Sequence, residues 1–261
     1  MNLDATAQPL SCSNVEGESC WTDEDLFKQP PPREDCPICM LPLPRCDEET
    51  QFQSCCGQLV CYGCIHAMKE NDDRGLCPFC RDPGTGSENE WVERIEKCID
   101  RDEAVALFRL GCAYYDGRKG LHQDYAKANE LWLRAGELGF ATAYHNLANS
   151  YLNGEGVDED IKEAEKHWEL AAMGGDAKAR YNLGAWEKRA GNISRAMKHW
   201  MIAAWAGCDG SLKHIRVGFF KGHVTKDDFE TTSRAHKEAT DEVKSDQRDI
   251  AAAYDEALAR N

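Results

Sequence analysis

The strongest constraint on this chain is a run of cysteines at metal-ligand spacing. Between Cys36 and Arg81 there are nine cysteines in 46 residues, six of them as the Cys-x-x-Cys pairs Cys36/Cys39, Cys61/Cys64 and Cys77/Cys80. Two thiolates three positions apart reach one tetrahedral ion from a single tight turn. With the doublet Cys55 and Cys56 the segment offers eight thiolates, the number that two closed four-ligand sites need. Its apolar content is low: twelve large side chains, among them Ile38, Leu43, Phe52, Leu59, Val60, Ile65 and Phe79. That is too few for so short a segment to fold alone. A structural zinc contributes on the order of 10 kcal/mol to the folding of small peptides, so metal is expected to replace the missing core.

These ligand pairs give residues 36–81 a resemblance to the RING finger family. The resemblance implies a cross-brace of two zinc ions. Cys36, Cys39, Cys61 and Cys64 would hold one, and Cys55, Cys56, Cys77 and Cys80 the other. The sequence departs from the family at the second pair, where Gln58 stands in place of the usual histidine. An amide is a poor zinc ligand, which leaves Cys55, or alternatively His66, to complete that site. The family also uses an apolar residue inside the first pair and a proline inside the last as a groove for a ubiquitin-conjugating enzyme. Ile38 and Pro78 occupy those positions, and Arg81 stands where a cation bonds the conjugating enzyme and its ubiquitin. Singly these are an ordinary core residue, a turn former and a surface charge; jointly, at three fixed offsets, they imply a working RING.

Charge narrows the partners. The chain has 46 acidic and 31 basic residues, a formal net charge of -15, and the first 90 residues hold 17 acids against 6 bases. A nucleic-acid-binding finger draws its affinity from neutralising phosphates, so no nucleic-acid partner is expected. The first 30 residues contain no apolar run of signal-peptide length, and no stretch approaches the ~18 apolar residues of a membrane span. With cysteines at metal rather than disulfide spacing, a reducing compartment, cytosol or nucleus, is expected, without a membrane partner. Cys12, Cys20, Cys98, Cys112 and Cys208 then read as free thiols, and Cys46 as a loop residue between ligand pairs.

Residues 1–35 are polar and acidic, carry three consecutive prolines at 30–32, and read as a disordered arm. Residues 82–103 read as a turn-rich linker and a connecting helix from about Glu88, with Trp91, Ile95, Cys98 and Ile99 on one face. From Ala104 the sequence repeats. Leu110, Leu147 and Leu183 are 37 and 36 residues apart, and Trp132, Trp168 and Trp200 are 36 and 32 apart. Each copy reads as two amphipathic helices joined by a glycine-containing turn, with small residues such as Ala128, Ala135, Ala164 and Ala171 where the helices meet. This pattern resembles the Sel-1-like repeat, a relative of the tetratricopeptide repeat. The copies are 104–140, 141–176, 177–208 and a degenerate 209–224, and residues 225–261 are expected to form a helix that closes the end of the stack.

The expected fold is therefore mainly α: a small zinc-bound ββα-like RING domain followed by an α-solenoid. The histidines from His122 to His236 lack ligand spacing, and the phosphate-loop and nucleophile-elbow motifs are missing from the sequence. The implied function is a RING-type ubiquitin-protein ligase that recruits a ubiquitin-loaded conjugating enzyme and holds a protein substrate on its repeats. The alternative is a zinc-binding adaptor that transfers nothing.

Overall fold

The computed structural model describes residues 21–44, 49–71, 75–84 and 86–259; Cys12, Cys20 and Cys46 lie outside them. A short helix, α1 (Asp23–Leu26), precedes a cysteine-rich module made of the hairpin β1 (Thr50–Gln53) and β2 (Gln58–Cys61) and the helix α2 (Tyr62–Asn71). The strands pair antiparallel, Phe52 opposite Leu59. Helix α3 (Glu88–Ile99) leads into four helix pairs: α4 (Ala104–Asp116) with α5 (Tyr125–Glu137), α6 (Ala141–Asn153) with α7 (Ile161–Met173), α8 (Ala177–Arg189) with α9 (Ile193–Trp205), and α10 (Asp209–Phe220) with α11 (Lys226–Glu242). The chain ends in α12 (Asp246–Ala259). Among the described residues no helix is long and apolar enough to cross a membrane.

The repeat signature has a direct packing meaning. Trp132, Trp168 and Trp200 are buried, as are Ala128, Ala135, Ala164 and Ala171. The residue after each anchor leucine is small because the tryptophan of the same pair lies against it. A Cβ added at Gly111 would sit 2.7 Å from the Trp132 ring, and one at Gly184 would sit 2.5 Å from that of Trp200. The recurrent aspartates are helix caps: Asp124 accepts from the Lys127 N–H at 2.9 Å, and Asp160 from the Lys162 N–H at 2.9 Å. Such a cap is worth about 1 kcal/mol. Gly117 and Gly154 end α4 and α6 in the left-handed conformation, which glycine adopts without a Cβ penalty.

Two expectations at the ends of the chain are corrected. The acidic arm does not stay free over its last part: Leu26 is fully buried and the Phe27 ring packs at a tilt against His199 of α9 with ring centroids 4.7 Å apart. Its composition concealed this because three apolar residues and one acid are enough to dock on a ready-made surface. Residues 225–261 are not one closing helix. α11 completes the fourth pair on α9 and α10, whereas α12 turns back and packs on α2 of the cysteine module. The cysteine module is thus held from both ends of the solenoid. On the other side, Arg109 of α4 reaches Thr50 Oγ1 at 3.3 Å, Cys98 of α3 reaches the Ser54 carbonyl at 3.3 Å, and Phe52 packs against the first repeat's core.

Candidate metal centre

The ligand loops are built by the backbone before any metal is considered. In Cys36-Pro37-Ile38-Cys39-Met40, the Met40 N–H bonds the Cys36 carbonyl at 2.9 Å and the Cys36 N–H bonds the Leu41 carbonyl at 2.8 Å. Cys77-Pro78-Phe79-Cys80-Arg81 repeats this: Arg81 N–H to the Cys77 carbonyl at 3.0 Å, Cys77 N–H to the Asp82 carbonyl at 2.8 Å. Met40 and Arg81 both have positive φ, 57° and 62°. Each is the turn residue that folds the chain back beneath its pair of sulfurs. Cys55 and Cys56 sit in the β1–β2 turn, closed by the Gly57 N–H on the Gln53 carbonyl at 2.8 Å. Cys61 ends β2, and Cys64 follows in the first turn of α2.

Tertiary folding gathers the eight sulfurs into two groups of four. One is Cys36, Cys39, Cys61 and Cys64; the other is Cys55, Cys56, Cys77 and Cys80; within each, all sulfurs lie within 4.8 Å of one another. The first and third pairs in sequence share a cage, and so do the second and fourth. Zn–S bonds of about 2.3 Å in a tetrahedron put sulfurs roughly 3.8 Å apart. The separations are 4.0 Å for Cys36–Cys64, 3.8 Å for Cys39–Cys61 and 3.6 Å for Cys56–Cys77. Both cages therefore fit a tetrahedral ion, and the eight are free cysteines, far beyond disulfide bonding distance.

The electrostatics of the cages point the same way. Burial raises the Cys36 thiol, but backbone hydrogen bonds around Cys39, Cys61 and Ile38 outweigh it and bring it down to about 7. Burial also raises Cys77, and the backbone at Cys80 and Phe79 overcomes it. Their neighbours move oppositely: burial and adjacent sulfurs push Cys55 and Cys64 up, and Cys56 up to about 11 despite a backbone hydrogen bond from Gln58. Several thiolates cannot crowd together without a cation between them.

Gln58 is exposed at the start of β2, and Cys55 supplies the fourth sulfur of the second cage. His66 is elsewhere: its ring meets Tyr254 of α12 edge-on at 5.0 Å, and its Nδ1 faces Glu70 Oε2 at 3.9 Å. Ile38 and Phe79 are exposed, Pro78 is half-buried and Arg81 is exposed. Pro78 and Arg81 line a cleft of about 220 Å³ with Ile65, Met68 and Leu76. α12 leaves this cleft open because it takes another face of α2, that of Gly63 and His66.

The sequence pattern missed a layer of residues around the cages. Arg248 of α12 donates from Nη2 to Cys39 Sγ at 3.5 Å and from Nη1 to the Pro42 carbonyl at 3.0 Å. Burial opposes its charge, but the sulfurs of Cys61 and Cys39 raise its pKa overall. Gln247 Oε1 lies 3.9 Å from Cys64 Sγ. Arg94 of α3 pairs with Asp82 and donates to the Gly84 carbonyl at 3.0 Å, which ties down the chain leaving the last ligand pair. The helical spacing of Arg248, Ala251 and Tyr254 was the one signal that α12 had a face to bury; nothing in it named the partner.

The Sel1 repeat family model matches residues 104–140 and 141–176. The ERAD-associated E3 ubiquitin-protein ligase component HRD3B of Arabidopsis thaliana is 32% identical over 115 residues, 44% of this chain and 18% of that protein. The chain thus spans less than a fifth of that relative's length. Among solved structures, a Sel1 repeat protein from Oxalobacter formigenes is similar at a TM-score of 0.51 and 22% identity, covering 68% of this chain and 70% of that one. That likeness is one of fold. The c5321 antigen of uropathogenic Escherichia coli, which displays an SLR fold, has a TM-score of 0.48 and 27% identity over 59% of this chain and 33% of its own.

Proposed function

We propose that this chain, whose residues 104–176 match the Sel1 repeat, is a RING-type ubiquitin-protein ligase with two zinc ions in its thiol cages. The observation that carries this reading is the pair of interleaved four-sulfur cages with Ile38, Pro78 and Arg81 left accessible beside them. That a relative 32% identical over 115 residues is a ubiquitin-protein ligase component supports the same context. Ile38 and Pro78 would dock a ubiquitin-loaded conjugating enzyme, and the repeats would hold the protein to be modified.

The eight sulfurs are committed to metal, so none serves as nucleophile. The chain's contribution is positional: it holds a thioester carried by the conjugating enzyme near a substrate lysine amine. Arg81 would supply a charged hydrogen bond made in the reactive pose, worth about 1.5 to 3 kcal/mol or roughly ten- to a hundredfold in rate. A reconstituted reaction with activating enzyme, ubiquitin and a panel of conjugating enzymes tests this. The zinc-loaded chain should build ubiquitin conjugates, and Arg81→Ala should lose most of that activity while retaining two metal ions per chain by native mass spectrometry. Failure with every conjugating enzyme, together with unchanged NMR signals at Ile38 and Pro78 on adding them, would leave the module as a zinc-stabilised adaptor.

A further inference from the structure

The polar arm before the cysteine module ends in a contact with an unusual chemistry at its base. Residues 21–27 lie across the second helices of repeats two and three: α1 packs on α7, Trp21 joins the cluster around Trp168, and the Phe27 ring packs at a tilt against His199 of α9. Leu26 is fully buried there. Asp23 pairs with Arg195 and lies 3.8 Å from Lys198 Nζ. Beneath Leu26 is the guanidinium of Arg180, 1% exposed, whose Nη1 donates to the Leu26 main-chain carbonyl. Among the described residues its Nε and Nη2 have no hydrogen-bond partner, and neither do the two ring nitrogens of the fully buried His199. Burial lowers the pKa of Arg180 to about 10, and among the described residues no carboxylate opposes it.

A buried guanidinium given one neutral carbonyl is poorly compensated, because its planar fork matches the two oxygens of a carboxylate. The group that meets it here is main-chain, so a carboxylate at the same place is the end of a polypeptide. We infer that the trough between α7 and α9 is a binding site for a protein C-terminus of the form Asp-x-x-Leu with a free α-carboxylate, which the chain's own residues 21–27 occupy as a releasable substitute. Leucine would fill the Leu26 pocket, the aspartate would meet Arg195 and Lys198, and the terminal carboxylate would satisfy Arg180 in two places. This rests on the repeats being the partner-holding part of the molecule and not on ubiquitin transfer.

The test uses the full chain carrying Leu26→Lys, which displaces the arm by placing a cation against Arg180, and a fluorescent hexapeptide of residues 21–26 ending in either the free acid or the amide. The acid should bind at least about tenfold more tightly than the amide, the difference expected for a charged hydrogen bond. Adding Arg180→Gln should erase the preference. In the unsubstituted chain, saturating acid peptide should speed hydrogen exchange at residues 22–28. Equal affinity for the two ends, no binding of either, a preference that survives Arg180→Gln, or binding that leaves exchange at 22–28 unchanged each overturns the inference. The acid–amide comparison needs no change at Arg180, so it stands even where that variant folds poorly. No conjugating enzyme is present, so a failed ligase reading would leave this result untouched.

Discussion

In the solenoid, the first three helix pairs each bury a tryptophan, laid against Gly111 in the first and Gly184 in the third, and cores run from Ile95 in α3 to Ile215 in α10. In the cysteine module, three of the six described residues in the buried cluster are cysteines, and the other three are Leu43, Val60 and Ile65. The first region spreads its stability over many small contacts between neighbours. The second gathers its eight sulfurs at two points, each with the spacing of a tetrahedral metal cage. The contrast is between a long periodic region that closes by burial and a short one whose side chains converge as ligands instead.

The comparison breaks most sharply under metal removal. A strong chelator should unfold residues 36–84, with a loss on the order of 10 kcal/mol, while the helices of the repeats persist; hydrogen exchange read region by region distinguishes the two. Loss of the repeats along with the module would mean that the regions are not separately stabilised. The reverse lesion is Trp200→Ala, which should cost about 3 to 5 kcal/mol in urea unfolding of the solenoid and leave two metal ions per chain.

Acid sharpens the contrast. Burial pushes His167 down to about 4 and His199 to about 3, whereas in the unfolded chain each titrates near 6.5. Below about 6.5 the unfolded state takes up protons that the folded repeats refuse, so stability falls as pH falls toward 4 and is flat above neutrality with respect to these groups. Between pH 6.5 and 5 the loss should be about 1.6 kcal/mol per histidine. His199→Leu should remove its share of that slope in denaturant titrations at the two pH values. The smallest effect tests the joint between the regions. Arg248→Ala, on a helix more than 180 residues along the chain from Cys64, should raise the release rate of one of the two metals by about tenfold in a chelator-competition assay. Equal acceleration of both would refute a local role.

Much of the candidate site was legible before folding because its information is local. Cys-x-x-Cys spacing dictates a turn, and Trp132, Trp168 and Trp200 with their leucines dictate a helix pair whichever residues surround them. Gln58 was legible as a gap, and the resemblance to a family suggested that Cys55 fills it, with His66 the rival. His66 instead packs on Tyr254, a neighbour that no spacing argument could supply. The docking of the arm and of the last helix is hidden from the sequence for a related reason. Average composition across residues 1–35 and 225–261 is polar, and a mean cannot register that Leu26 finds a pocket above Arg180 or that Arg248 finds a sulfur.

The sequence by itself determined the units: eight sulfurs in four pairs, a recurring leucine and tryptophan, and the caps and turns that join them, all set by contacts within a few tens of residues. The tertiary structure alone decided that α12 returns to the first cage, that the module is gripped between α3, α4 and α12, and that residues 21–27 cover Arg180. Those contacts join surfaces far apart in the chain, and their energy depends on shape and on paired charge at one place, quantities that exist only after the units have folded.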